Sequence, residues 1–132
     1  MTTKVLTEPQ HRGEFLVSEA NGHLSREVGT LASGNIAKDG RALKLVGGKL
    51  VPAAGTTHTD GTSDENIVGI ALGDHDASAT GANADVPGVV YIARLSEVKG
   101  ALVTLHAVVG GGAAAATAAV KAALAKLNII ER

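Results

Sequence analysis

Cysteine is absent from this chain, and that absence removes three kinds of chemistry at once. No disulfide framework, no thiolate metal site and no cysteine nucleophile can be built. Tryptophan is absent too, and the whole aromatic set is Phe15 and Tyr91. Hydrophobic residues still make up 45% of the 132 positions, enough for the core of one ordinary domain, but Val, Ile, Leu and Ala must do nearly all the packing. Aromatic side chains bury the most area each, so a chain short of them gains less from a solitary core. Small domains in that position often add area by oligomerising, and self-association is the expectation here.

An excess of charge of either sign is also missing. Twelve Lys and Arg stand against thirteen Asp and Glu, a net charge of −1. Phosphate binding needs a clustered positive surface, so nucleic acid is not an expected partner. The longest apolar stretch, near residues 113–125, is mostly Ala and is interrupted by Thr117 and Lys121, which makes no membrane span. The first residues lack the apolar segment of a secretory signal, so the expected place of synthesis and assembly is the cytoplasm.

What is present divides into an arm and a body. Residues 1–12 are polar, carry Pro9, and hold only Val5 and Leu6 as an apolar pair, so they read as an extended arm. Residues 13–132 read as a single domain. Residues 14–18 have the composition of a first strand, followed by the turn signal Asn21-Gly22. Short apolar runs then alternate with glycine-rich punctuation: Val28 to Leu31, Leu43 to Val46, and Leu50-Val51 before Pro52. Residues 53–66 read as a long loop. Ile67 to Leu72 is apolar on both faces and reads as a central strand. Asp74 to Asp85 is a polar loop, Val86 to Leu95 holds the most β-prone stretch, and Leu102 to Val109 is a further strand candidate.

This spacing predicts a compact β-barrel or sandwich. After Gly110-Gly111-Gly112 the propensity turns helical from Ala113 to Leu127, with Val120, Leu124 and Leu127 on one side. Asn128 fits the left-handed residue after a helix, and Ile129-Ile130 folds the tail back onto apolar surface. The class is α+β, dominated by strands.

Candidate chemistry is thin. His58-Thr59-Asp60 and Asp74-His75-Asp76 place imidazoles beside carboxylates, but a catalytic or metal site needs convergence from separate elements and a pocket. Both lie in polar loops, within an acidic stretch: residues 51–90 carry six acids and no base. That stretch reads as a solvated face. Asp74-His75-Asp76 lacks the downstream glycine and glutamate of a calcium loop. Ser18, Ser25 and Ser33 lack the Gly-x-Ser-x-Gly frame of a nucleophile elbow. The glycine run at 110–112 lacks the Gly-Lys-Ser/Thr ending of a phosphate loop. His11, His23 and His106 stand alone. No enzyme, cofactor, metal or small-molecule substrate is expected.

The opening of the body is more specific. His11-Arg12-Gly13-Glu14-Phe15-Leu16-Val17-Ser18-Glu19-Ala20-Asn21-Gly22, followed by Ser25-Arg26-Glu27, resembles the start of the head decoration proteins of lambda-like tailed phages. That family shows Gly-Glu-Phe, Ser-Glu-Ala-Asn-Gly and Ser-Arg in this order, which marks Gly13, Glu14, Phe15, Ser18, Glu19, Ala20, Asn21, Gly22, Ser25 and Arg26. Gly69 to Gly73, Ile92 to Val98 and Leu124 to Arg132 continue the match in order. Residues 35–66 match poorly, and Asn128 stands where the family usually has Gly, a substitution that the left-handed conformation tolerates.

The resemblance implies a homotrimer on the outer surface of the virion, bound to the major capsid protein and cementing the expanded head against packaged DNA. In that picture the arm residues Thr2, Thr3, Lys4, Val5, Leu6, Thr7, Glu8 and Pro9 bind the shell. The competing reading is a β-rich surface or tail accessory domain that binds host glycans. It requires an exposed aromatic platform, which Phe15 and Tyr91 alone would have to supply.

Overall fold

Short apolar runs cut by glycine turns do make strands, and five of them close on one another. A computed structural model describes residues 8–21, 24–54, 66–106 and 113–132. In chain order the elements are β1 (Leu16–Glu19), β2 (Arg26–Leu31), β3 (Ile36–Ala37), β4 (Ala42–Val46), β5 (Lys49–Pro52), β6 (Ile67–Ala71), β7 (His75–Asp76), β8 (Val86–Ile92) and β9 (Ser96–Val98). A short 3-10 turn (Gly100–Leu102) leads to β10 (Thr104–His106), β11 (Ala113–Ala115), α1 (Ala118–Lys126) and β12 (Ile129–Glu131).

The barrel runs β2-β5-β4-β6-β8 and back to β2. All its pairings are antiparallel except β2 with β5, which meet in parallel at Leu31 and Leu50. Its interior is a buried cluster of Leu31, Leu43, Leu50, Ala71, Val89 and Tyr91, to which every barrel strand contributes. Close filling needs a missing side chain at Gly29, where a Cβ would lie 2.8 Å from Leu50 Cδ1. Ile67–Ala71 is indeed central, flanked by β4 and β8.

Outside the barrel lies a three-stranded sheet in the order β1-β9-β12, antiparallel then parallel. A second buried cluster fills the space between barrel, sheet and helix. It joins Phe15 to Ile70 of β6, Ile92 of β8, Val98 of β9, Leu105 of β10, Val120 and Leu124 of α1 and Ile129 of β12. Phe15 is fully buried within it.

Some boundaries differ from those read in the sequence. The first strand starts at Leu16 rather than at residue 14, because Gly13, at φ +77°, closes a turn in which Glu14 N donates to His11 O (3.1 Å) and Leu16 N to Gly13 O (2.9 Å). That turn is what points Phe15 inward. The helix starts at Ala118, not Ala113. Ala113–Ala115 instead pair antiparallel with β10, and ladder hydrogen bonds outweigh the modest helical preference of three alanines. Thr117 then caps the helix, its hydroxyl accepting from Val120 N. Within the candidate strand Leu102 to Val109, the described part folds as the end of the 3-10 turn and then β10. The loop at 55–65 and the glycines at 110–112 lie outside the described residues.

At the end of the helix the reading holds. Val120 and Leu124 are buried, Leu127 is half-buried against the same cluster, and Asn128 is left-handed at φ +59°. The tail folds back as β12, with Ile129 buried and Ile130 exposed.

Phe15→Ala removes the single large ring from the outer cluster and should destabilise the fold by about 3–5 kcal/mol, read from denaturant midpoints. A loss below about 1 kcal/mol would mean that the neighbouring aliphatics refill the space.

Candidate functional site

The arm meets the body at one anchoring residue that the sequence does not advertise. Asp39, in the turn between β3 and β4, accepts Gly13 N through Oδ2 (2.9 Å) and Gly73 N through Oδ1 (2.6 Å). Its own amide donates to Asp74 Oδ1 (2.8 Å). Three distant segments are thereby tied at the arm's root. Arg12 lies over Gly73, which is left-handed at φ +87°; a Cβ there would come 2.9 Å from Arg12 Nε. On the arm side, Glu8, Pro9 and Gln10 are exposed and outside any helix or strand, and Glu8 Oε1 is 3.1 Å from His11 Nε2. Thr2, Thr3, Lys4, Val5, Leu6 and Thr7 lie outside the described residues.

The motif residues form a clasp rather than a pocket. Glu14 Oε2 accepts from His11 N (3.0 Å), closing the turn that precedes Phe15. Glu19 takes a two-pronged contact from Arg26, Nε to Oε2 at 2.9 Å and the second guanidinium nitrogen to Oε1 at 2.5 Å. The paired guanidinium holds the Glu19 carboxyl below the usual carboxylate range.

Between these two, Ser25 is fully buried. Its hydroxyl accepts from Ala20 N (2.9 Å) and donates to Leu95 O (2.8 Å), and its carbonyl accepts from Ala93 N (2.7 Å). The Ser-Glu-Ala-Asn-Gly and Ser-Arg spacing therefore encodes a loop fastened at both ends and to the 93–95 corner. Asn21 is exposed in that loop, and Gly22 lies outside the described residues.

The later motif blocks converge on the same end of the molecule. Arg94 donates to Leu24 O (2.7 Å) and to Glu27, whose other oxygen accepts from the Tyr91 hydroxyl (3.1 Å). Leu95 takes φ +51°, unusual for a branched residue, and turns the chain into β9. Glu97 on β9 accepts from Ser18 Oγ (3.0 Å) on β1 and from Arg132 Nε (3.0 Å) beyond β12. Arg132 first, then Ser18, draws the Glu97 carboxyl below its ordinary value. Sequence reading missed Asp39, Glu27 and Glu97 as fastening points. Their partners lie 26 to 79 residues away, and no local pattern reports such pairs.

The former catalytic candidates have local duties. Asp76 Oδ1 accepts from Ser78 N and Ser78 Oγ, closing the 76–80 turn, and His75 Nε2 lies 3.2 Å from Leu72 O. Asp74 is held by Asp39 N and lies 3.5 Å from Lys38. His58 and Asp60 lie outside the described residues. Both aromatic side chains point inward, Phe15 fully and Tyr91 with 8% exposure, so no aromatic face remains for sugar stacking.

The family model of bacteriophage lambda head decoration protein D matches residues 5–129. The chain belongs to that family, one of structural phage proteins rather than of enzymes, and the membership places it in phage head decoration. No curated protein and no solved structure matches the chain.

Two measurements follow. Asp39→Ala orphans two backbone amides at the arm's root and should cost about 2 kcal/mol in denaturant unfolding. A loss within about 0.5 kcal/mol, the range of an ordinary surface change, would show that Asp39 is dispensable.

Acid should also loosen the fold. Hydrogen-bonding partners lower the carboxyls of Glu19, Asp76, Asp85 and Glu97 in the folded state. Their stabilisation is therefore complete above the unfolded carboxylate pKa of about 4 and is lost as pH falls through the folded values. The thermal midpoint should be flat from neutral pH to about pH 5 and fall below that, less steeply in Arg26→Ala. An unchanged acid limb in that variant would remove the Glu19–Arg26 pair as a contributor.

Proposed function

We propose that the protein is a capsid cement. It binds as a homotrimer to the outer surface of the expanded phage head, contacts the major capsid protein, and stabilises the shell against the pressure of packaged DNA. The observation that carries this reading is the family match across residues 5–129, together with a body that fastens the arm's root at Gly13 through Asp39.

In this reading residues 2–9 form the contact with the shell and residues 13–132 the domain that presents it. Residues 2–9 add as a strand to an exposed sheet edge of the major capsid protein, which satisfies backbone donors and acceptors with little demand on side chains. Val5 and Leu6 supply apolar contact on alternate faces, and Pro9, lacking an amide hydrogen, ends the pairing. Ordering such an arm costs roughly 1–2 kcal/mol per residue in backbone entropy, so a single arm binds weakly. Three arms on one trimer bind with avidity, worth a factor of roughly 10²–10⁴ without any new kind of contact. Capsomer spacing that lets all three engage only after expansion accounts for selectivity toward the mature shell.

Deleting residues 1–12 should leave a folded trimer that no longer co-sediments with expanded heads. Retained full binding by the truncated protein would overturn the arm's role.

A further inference from the structure

A cavity of about 130 Å³ lies between α1 and the outer sheet. Val98 of β9, Val103, Leu124 of α1 and Ile129 of β12 line it, each at most 3% exposed, and they make its floor. The same four side chains belong to the cluster that holds Phe15. Ala125 and Ile130 also line the cavity and are exposed, so they mark its mouth.

Among the described residues the charged side chains of the lining are Lys121 and Glu131, and they answer each other: Lys121 Nζ lies 2.8 Å from Glu131 Oε1. The Glu131 carboxylate folds over Gly100, where a Cβ would collide with it. The bare glycine thus makes room for the ion pair beside the cavity. Neither charge is left over to hold an ionic guest. Both side chains are partly exposed, and an exposed ion pair contributes little, so shifting it to admit a guest costs little. The one buried side-chain polar atom without a partner among the described residues is Ser96 Oγ, and Ser96 does not line this cavity. The walls therefore offer a guest apolar contact and no unmade side-chain hydrogen bond.

Apolar cavities of about 150 Å³ stay dry and take benzene-sized guests. We propose that this cavity binds a small neutral hydrocarbon group, a ring or branched chain of about six carbon atoms. Such a guest bridges α1 to β9 and β12 and ties down the C-terminal tail. Its uptake needs no contact with the shell and is separate from the cement role.

The test titrates the full chain with benzene and, as charged probes of similar size, with butyrate and butylammonium, followed by methyl-resolved NMR. Benzene should shift the methyls of Val98, Val103, Leu124 and Ile129 along a saturating curve in the millimolar range. The methyls of Val28 and Val46, exposed on the barrel, should stay in place, and the thermal midpoint should rise. Both charged probes should bind at least tenfold more weakly. Ala125→Phe, which sets a ring at the mouth, should weaken benzene uptake at least tenfold, with Ala125→Leu as the milder plug should the first not fold.

No saturable shift at the four floor residues overturns the proposal. Shifts that reach Val28 and Val46 equally and do not saturate mean general adsorption, and overturn it too. Butyrate bound as tightly as benzene replaces the neutral guest with an anion held by Lys121. Undiminished benzene binding in the Ala125 variants moves the site elsewhere. A wild type indifferent to benzene, beside a folded Ala125→Phe that no longer binds expanded heads, gives the cavity to an apolar side chain of the shell instead.

Discussion

Phe15 sits where the barrel, the outer sheet and the helix meet, and the rest of the structure is arranged around that contact. Without another phenylalanine or any tryptophan, the space outside the barrel has to be filled by aliphatic side chains from seven elements converging on one ring. Three short strands outside the barrel each bring one of them: Val98 from β9, Leu105 from β10, Ile129 from β12. None of these three-residue strands is long enough to be stable alone. They persist because each delivers a side chain to the same cluster, and because Lys99 N donates to Phe15 O (2.7 Å), linking the backbone beyond β9 to the ring's own residue.

That dependence explains why the family motif reads as it does. Gly13 and Glu14 shape the turn that aims Phe15 inward, while Ser18, Glu19, Ser25 and Arg26 secure the chain from β1 to β2. Most of the matched residues therefore fix the body rather than touch a ligand. Motif residues in a structural protein need not mark a binding site. Here they mark the joint at which the N-terminal segment meets the core.

How much of this was legible in the sequence follows from the range of the interactions. The barrel strands were, because each holds an apolar run long enough to show a pattern, as Ile67–Ala71 and Val86–Ile92 illustrate. The left-handed residue at Asn128 and the returning tail were legible too, since helix ends carry local signals. β9 was not: Ser-Glu-Val has no strand signature, and its place is set by the turn at Leu95 and by partners on β1 and β12. β11 was misread because alanine favours helix unless a neighbouring strand offers a ladder. Asp39 looked like an ordinary turn residue, since nothing nearby shows that its two oxygens serve amides 26 and 34 residues away.

The division of labour at the arm's root has a mechanical consequence. A tether transmits load only as well as the point to which it is fixed, and Gly13 is fixed twice, by Asp39 through its amide and by the turn that buries Phe15 two residues on. Asp39 is in turn braced by Gly73, at the exit of the central strand β6. Force applied at Gly13 would therefore reach the end of a barrel strand through two hydrogen bonds from backbone amides to the Asp39 carboxylate.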